Sequence, residues 1–215
     1  MKKRVKPGLL AAMLLLGFGF TSRPVLSEPP AASLVPLYQA GDVAADFRLR
    51  NVDGQMVSLG DYRNGKGVIV VFTSNHCPYS RAYEDRLIAL HQKFAGQGYP
   101  VVAINSNDPA AYEEDSFENM KGRARDKSFP FPYLVDDTQR VAKTYGAARS
   151  PHVLVLRKTG EQFVVQYVGA IDDNTQDPGS VTRRYVDEAV TNLLAGKPVV
   201  STTTRSVGCA IKWKD

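Results

Sequence analysis

Two residues of this 215-residue chain carry sulfur nucleophiles, Cys77 and Cys209. Cys77 stands in Thr73-Ser74-Asn75-His76-Cys77-Pro78-Tyr79-Ser80, between a β-branched apolar run and a segment with helical spacing. A thiol at such a junction faces the N-terminus of a helix. The unpaired N–H groups and partial positive charge there favour an anion. The thiol pKa falls, and the thiolate becomes a nucleophile toward a disulfide or a peroxide. The competing reading is a small buried apolar residue, a common fate of free Cys. Peroxide would leave Cys77 as a sulfenic acid, which a second thiol converts to a disulfide. Cys209 lies twelve residues beyond Lys197, where the last helix is expected to end. Twelve extended residues span about 40 Å, against a radius of gyration of about 16 Å for a domain of this size. The tail can therefore reach Cys77. A free or intermolecular Cys209, or a static clamp of tail on body, are the alternatives to a resolving role.

The elements that must hold Cys77 follow from the apolar pattern. Phe47 to Arg50 and Met56 to Leu59 flank the turn signal Asp53-Gly54 and predict a β-hairpin. Gly67 to Phe72 is a continuous β-branched run, as in a parallel strand buried on both faces. A helix is expected next, with Pro78 at its first position and Tyr83, Leu87, His91 and Phe94 on one face. Gly96 and Gly98 end it, and Pro100 to Ile104 predicts a second buried strand, giving a right-handed β-α-β crossover. Asp115 and Glu118 suggest a capping box before a short helix to about Lys127. Tyr133 to Val135 reads as a strand, and Thr138 to Tyr145 as a short helix ending at Gly146. Val153 to Leu156 and Phe163 to Val168 read as a second hairpin, and Ser180 as the cap of a helix through Leu194. Residues 197–215 read as an extended tail. The order predicts an α/β domain with a mixed central sheet, helices on both faces and an N-terminal β-hairpin.

Composition is that of an ordinary globular protein, 43% apolar and 23% charged. The formal charge of +5 is concentrated at one end. Residues 1–27 carry five basic residues and no acidic one, and the remainder holds 22 of each sign. That balance argues against nucleic acid as a partner. The basic start, the apolar run Leu9 to Phe20 and the small residues Val25 and Ser27 read as a signal peptide over 1–27, directing export to a periplasm or the exterior. The run is shorter than the roughly 20 residues that span a bilayer, so no stable membrane anchor is expected after cleavage. No Cys follows the run, which excludes a lipid attached to Cys there. Pro29, Pro30 and Pro36 mark a linker over 28–40, ahead of a domain over 41–196.

Most of residues 40–215 resembles the thioredoxin superfamily, specifically its redoxin branch and the peroxiredoxin-like group with an alkyl hydroperoxide reductase/thiol-specific antioxidant type domain. The resemblance rests on Gly41 to Phe72, the Cys77 turn, Asn107-Asp108-Pro109, Phe131 to Asp136, Ser150-Pro151-His152, Gly169 to Asp173 and the ending Gly208-Cys209-Ala210-Ile211-Lys212-Trp213. It implies a thioredoxin-like fold in which Pro151 is a cis proline beside the reactive Cys. It also implies a thiol-dependent oxidoreductase that takes a small peroxide or a disulfide as substrate. Cys77 would be the nucleophile, Ser74 and Arg149 would hold and polarise the thiolate and peroxide oxygen, and Cys209 or an external thiol would regenerate it. A thiol reductant or partner redox protein would supply electrons, and no cofactor or metal is implied.

The chain departs in two ways from the families it resembles. Thioredoxins carry Cys-x-x-Cys, whereas Cys77-Pro78-Tyr79-Ser80 lacks the second thiol, which excludes dithiol exchange within this turn. Peroxiredoxins have Pro seven residues before the reactive Cys, where Val70 stands here. Two other functions therefore stay open: thiol–disulfide exchange with a protein through a monothiol site, and a redox-silent or metal-carrying module. His76 and His152 flank the expected thiol, but no paired ligand spacing accompanies them.

Overall fold

The structure, a computed structural model, describes residues 38–214. The expected signal over 1–27, and the linker up to residue 37, lie outside the described residues. The described chain runs β1 (Arg48–Asn51), β2 (Met56–Ser58), β3 (Gly67–Phe72), α1 (Pro78–Phe94), β4 (Val101–Asn105), α2 (Phe117–Asp126), β5 (Tyr133–Val135), α3 (Arg140–Tyr145), β6 (Arg149–Ser150), β7 (His152–Thr159), β8 (Gln162–Gly169), α4 (Tyr185–Leu194) and β9 (Cys209–Ala210).

Seven strands form one sheet in the order β2-β1-β5-β4-β3-β7-β8. The pairs β3–β4 and β4–β5 are parallel, and the remaining pairs are antiparallel. This is the expected mixed sheet. β3 and β4 are buried at every residue because both faces are covered. Period-two alternation divides their side chains between two apolar layers. Ile69 and Val71 join Val101 and Ala103 under α1, α2 and α4, through Leu87, Phe94, Met120, Val186 and Val190. Val68, Val70 and Phe72 join Val102 and Ile104 under α3 and the N-terminal segment, through Ala142, Tyr145, Phe47 and Leu59. In β8 the register shifts opposite Val155/Leu156, so that Val155 pairs with Tyr167 and Leu156 with Val165. The extra residue, Gln166, turns Tyr167 to the α1 side while Val165 stays on the other.

Two local expectations are corrected. Residues Glu113–Asp115 form a 3-10 turn, and Ser116 caps α2 by accepting from the Asn119 N–H at 3.4 Å. Asp115 is thus no cap; it is buried and bonded elsewhere. Ser180 lies in a separate 3-10 turn capped by Asp177, and α4 begins only at Tyr185. Asp173 accounts for the delay: its backbone N–H donates to the Arg183 carbonyl and its carboxylate accepts from the Thr182 N–H, holding that segment extended. The tail adds a short strand, β9, that pairs antiparallel with β6.

Candidate functional site

Cys77 is the N-cap of α1, with φ −74° and ψ 120°, and Pro78 occupies the first helical position as expected. β3 ends five residues earlier, and the buried loop Thr73-Ser74-Asn75 carries the chain from sheet to helix. Cys77 is 0% exposed and disulfide-bonded to Cys209, with the two Cα atoms 5.9 Å apart. The Ser150–Pro151 bond is cis, and the Ser150 carbonyl oxygen lies 3.3 Å from the Cys77 sulfur. The two cysteines and Pro151 are therefore brought to one point from α1, β9 and the β6–β7 junction.

Ser74 is also there, 3% exposed, with its hydroxyl bonded to the Ser150 hydroxyl at 2.9 Å. Arg149 sits one residue before Ser150 on the short strand β6. Alternation along the strand turns Ser150 inward and Arg149 outward. The exposed Arg149 guanidinium donates from Nη1 to the Gly208 carbonyl at 3.0 Å, so in this disulfide form it holds the tail next to Cys209. Ser80 follows Cys77 by three positions, is 0% exposed, and has a hydroxyl with no hydrogen-bond partner.

Sequence reasoning missed Asp115. Its side chain is fully buried and accepts from the Asn75 N–H at 2.7 Å, from Asn105 Nδ2 at 2.9 Å and from His76 Nδ1. Tyr133, whose hydroxyl donates to Asn75 Oδ1 at 2.9 Å, completes the support of the loop. Burial, with Asp115 nearby, holds the Tyr133 hydroxyl well above the usual tyrosine range, so it serves as a neutral donor. The His76 ring stacks on Tyr112, with centroids 4.0 Å apart. The available signal was an acid in the polar segment that follows β4, the parallel neighbour of β3, and it read more simply as a helix cap.

The tail is held on both sides of Cys209. Before it, Val168 N–H donates to the Thr202 carbonyl and Thr204 N–H to the Val168 carbonyl, each at 3.0 Å. The Ser206 hydroxyl is bonded to His152 Nδ1 at 2.8 Å. After it, Ile211 N–H donates to the Ala148 carbonyl and Lys212 N–H to Asn107 Oδ1, while Gln139 Nε2 donates to the Lys212 carbonyl. The Asn107-Asp108 motif thus docks the tail. Asp172 in the Gly169–Asp173 motif accepts from the Tyr83 hydroxyl at 2.8 Å and Arg86 Nη1 at 2.7 Å, fixing α1 to the loop after β8.

His152 is 9% exposed, its Nε2 has no partner, and burial pushes its pKa down to about 4. His91 rests against Phe131 and accepts from the Val101 N–H, a packing role as its helical position implied. Among the described residues no group of three His, Cys, Asp or Glu side chains is placed to hold a metal ion. A cavity of about 230 Å³ opens beside Pro151, lined by Tyr83, Asp173, Tyr185, Arg205 and Val207 among others.

Comparison with known proteins agrees with this geometry. The model of the AhpC/TSA family matches residues 40–173. A solved structure of an uncharacterized conserved protein from Geobacillus kaustophilus superposes with a TM-score of 0.76 at 38% identity, covering 85% of this chain and 94% of that one. The thioredoxin domain of a thiol-disulfide oxidoreductase from Bacteroides vulgatus superposes at 0.51 and 21% identity, covering 61% and 91%. The fold is therefore thioredoxin-like. The thiol-disulfide oxidoreductase ResA of Geobacillus thermodenitrificans is 31% identical over 124 residues, 56% of this chain and 65% of its own length. The chain thus spans slightly less than two thirds of that relative.

Proposed function

This chain belongs to the AhpC/TSA family, and from that membership we propose that it is a thiol oxidoreductase cycling between a Cys77–Cys209 disulfide and two thiols. The observation that carries the reading is the pair itself. Two cysteines 132 residues apart meet at a helix N-terminus beside a cis proline. Their Cα separation of 5.9 Å lies within the range a disulfide spans without backbone movement. α1 is intact from Pro78 onward in the bonded form, so the oxidised state requires no helix unwinding.

The substrate this geometry favours is a disulfide on a partner. Reduced Cys77, as thiolate, attacks one sulfur of that disulfide, and the partner's other sulfur leaves as a thiolate. Cys209 then attacks the Cys77 sulfur, the partner's second thiolate departs, and the intramolecular disulfide closes. The partner gains two electrons and the cysteine pair loses two. The cavity beside Pro151 and Val207 supports docking of a partner next to the tail segment that carries Cys209. In this disulfide form Arg149 is engaged by Gly208 and Ser74 by Ser150.

A hydroperoxide is the second reading, supported by the family and by buried Ser74 three residues before Cys77. Cys77 thiolate would take one peroxide oxygen as a sulfenic acid, releasing the alcohol or water. Cys209 would then displace water to give the same disulfide. In both readings residues 1–27 serve as an export signal, 28–40 as a linker, and 41–196 with the tail as the working domain.

The test mixes reduced full chain with a protein disulfide or with hydrogen peroxide and follows closure of the Cys77–Cys209 bond by intact mass. Faster closure with the protein disulfide, and a mixed disulfide through Cys77 in Cys209→Ser, is the expected result. Closure by peroxide alone would select the second reading. Closure with neither oxidant faster than a free model thiol reacts would refute both.

A further inference from the structure

Among the described residues β6 has one strand partner, the tail strand β9. Ser150 pairs with Cys209 and Arg149 with Ala210, antiparallel, in a two-stranded sheet separate from the main one. The seated tail shows which sequence fits this edge. Directly before the cysteine stands Gly208, where a Cβ would lie 2.1 Å from the Ser150 oxygen, 2.6 Å from its carbonyl carbon and 3.0 Å from Pro151 Cδ. These atoms belong to the backbone before the cis bond and to the proline ring, so no rotamer change removes the clash. Ala210, directly after the cysteine, is exposed, so that position is open. Ile211, two residues after it, is 5% exposed in the apolar layer that holds Phe72 and Ala147, and its N–H donates to the Ala148 carbonyl. The edge as occupied therefore reads Gly-Cys-x-aliphatic, with the glycine the strictest position.

In the cycle above, a partner's cysteine has to take the place of Cys209 on the Cys77 sulfur. Cys77 is 0% exposed in the bonded form, and the Ser150 carbonyl oxygen lies 3.3 Å from its sulfur. A disulfide limits the partner's Cα to within about 7 Å of the Cys77 Cα, where Cys209 on β9 now stands at 5.9 Å. We propose that β6 is the docking edge for a disulfide-bearing segment of a partner protein, and that it selects a cysteine preceded by glycine and followed two residues later by an aliphatic side chain. β9 is the built-in occupant that such a segment displaces. This role of β6 rests on the cycle above and defines its substrate. Cys77 thiolate attacks the segment's cysteine, the bond to Cys77 forms as the partner's disulfide breaks, and the electron pair leaves on the partner's other sulfur. The tail stays anchored at Val168 and Asn107 while β9 lifts between them. Arg149 Nη1, which holds the Gly208 carbonyl at 3.0 Å, is then free for the carbonyl of the incoming glycine.

The experiment uses the full chain carrying Cys209→Ser, so that an adduct on Cys77 persists. The probes are peptides that copy residues 206–213, each with thionitrobenzoate on its cysteine and with Gly, Ala or Val before it. Thionitrobenzoate, the thiol of lower pKa, leaves when Cys77 attacks, and its release gives the rate. Each rate is divided by that of the same peptide with 2-mercaptoethanol, which removes differences intrinsic to the peptide disulfide. The glycine peptide is expected to react at least ~ten-fold faster than the other two. Equal corrected rates overturn the proposal. Asparagine in place of the peptide's isoleucine is expected to slow the glycine peptide about ten-fold, and an unchanged rate overturns the aliphatic requirement. Adding Gly208→Ala to the chain loosens β9 and is expected to raise the rate with the glycine peptide about ten-fold. An unchanged rate there overturns the displacement of β9. Brisk adducts at equal corrected rates sink the selectivity alone, whereas no adduct with any peptide counts against the functional reading itself.

Discussion

Ser150 and Cys209 are Cα partners across the β6–β9 ribbon, so the residue before the cis proline and the second cysteine face each other directly. Gly208 makes this pairing possible. A Cβ at position 208 would stand 2.1 Å from the Ser150 oxygen and 2.6 Å from its carbonyl carbon, both backbone atoms that cannot turn aside. Gly208→Ala is expected to push β9 off β6 at a cost of about 1–3 kcal/mol. Reduction of the disulfide by a monothiol should quicken, on the order of ten-fold, by the same energy. An unchanged rate would show that the ribbon does not hold Cys209 in place.

The disulfide closes a loop of 132 residues. Cross-links over long loops stabilise by about 2–4 kcal/mol, chiefly by restricting the unfolded chain. Urea unfolding of the oxidised chain and of Cys209→Ser should differ by that amount. The two would coincide only if the tail contacts alone carried the stability.

Asp115→Asn keeps the size and removes the charge. One amide oxygen can still accept from both Asn75 N–H and Asn105 Nδ2, but the new amide NH2 then faces His76 Nδ1, which must change tautomer to accept from it, and the charge assistance of all three bonds is lost. A loss of about 2–4 kcal/mol is expected. Cys77 in the Cys209→Ser background should become less selectively reactive, because the loop that aims it loosens. Thermal melting and alkylation rates measure the two effects separately.

His152 gives the fold a pH slope. Its pKa falls from 6.5 to about 4 because burial disfavours the charged ring. The unfolded chain then binds more protons than the folded one between these values, so stability is full above about 6.5 and declines as pH falls toward 4. The decline amounts to on the order of 3 kcal/mol by pH 4. His91, lowered in the same direction by burial, adds to it. His152→Asn should flatten the slope in unfolding measurements from pH 7 to 4. An equally steep slope in that variant would assign the effect to other groups.

Ser80→Ala tests the cost of a buried hydroxyl. The Ser80 hydroxyl is buried without a partner in the oxidised form, a cost of about 1–3 kcal/mol. Replacement by Ala should therefore leave the oxidised chain as stable or more stable on thermal melting. A loss of stability would show that the hydroxyl is satisfied in solution.

The sheet, α1 and the placement of Cys77 at its entrance were legible because their signals are local. A β-branched run followed by a turn and Pro78 leaves little freedom. Legibility failed where long-range partners decided the outcome. Asp115 reads as a cap until Asn75, forty residues earlier, arrives beside it. Ser180 has the residue type of a helix cap, but Asp173 binds the chain after it and delays the helix to Tyr185. The side chain of Arg149 depended on β9, and a two-residue strand leaves no periodicity to read. Ser80 was visible as a missing thiol, and its burial without a partner depends on packing that the sequence does not display.

The anchors on either side of Cys209 have a kinetic consequence. Thr202 and Thr204 are bonded to Val168 upstream, and Lys212 is bonded to Asn107 downstream, by contacts that do not involve sulfur. Breaking the disulfide therefore leaves the two thiols tethered near each other, at an effective concentration far above that of any free thiol in solution. Once Cys77 has been oxidised to a mixed disulfide or a sulfenic acid, attack by the tethered Cys209 is unimolecular and fast, so that an intermediate in which Cys77 waits on a bulky partner is short-lived. Encounter with the oxidant, rather than closure of the pair, then limits the oxidative half of the cycle.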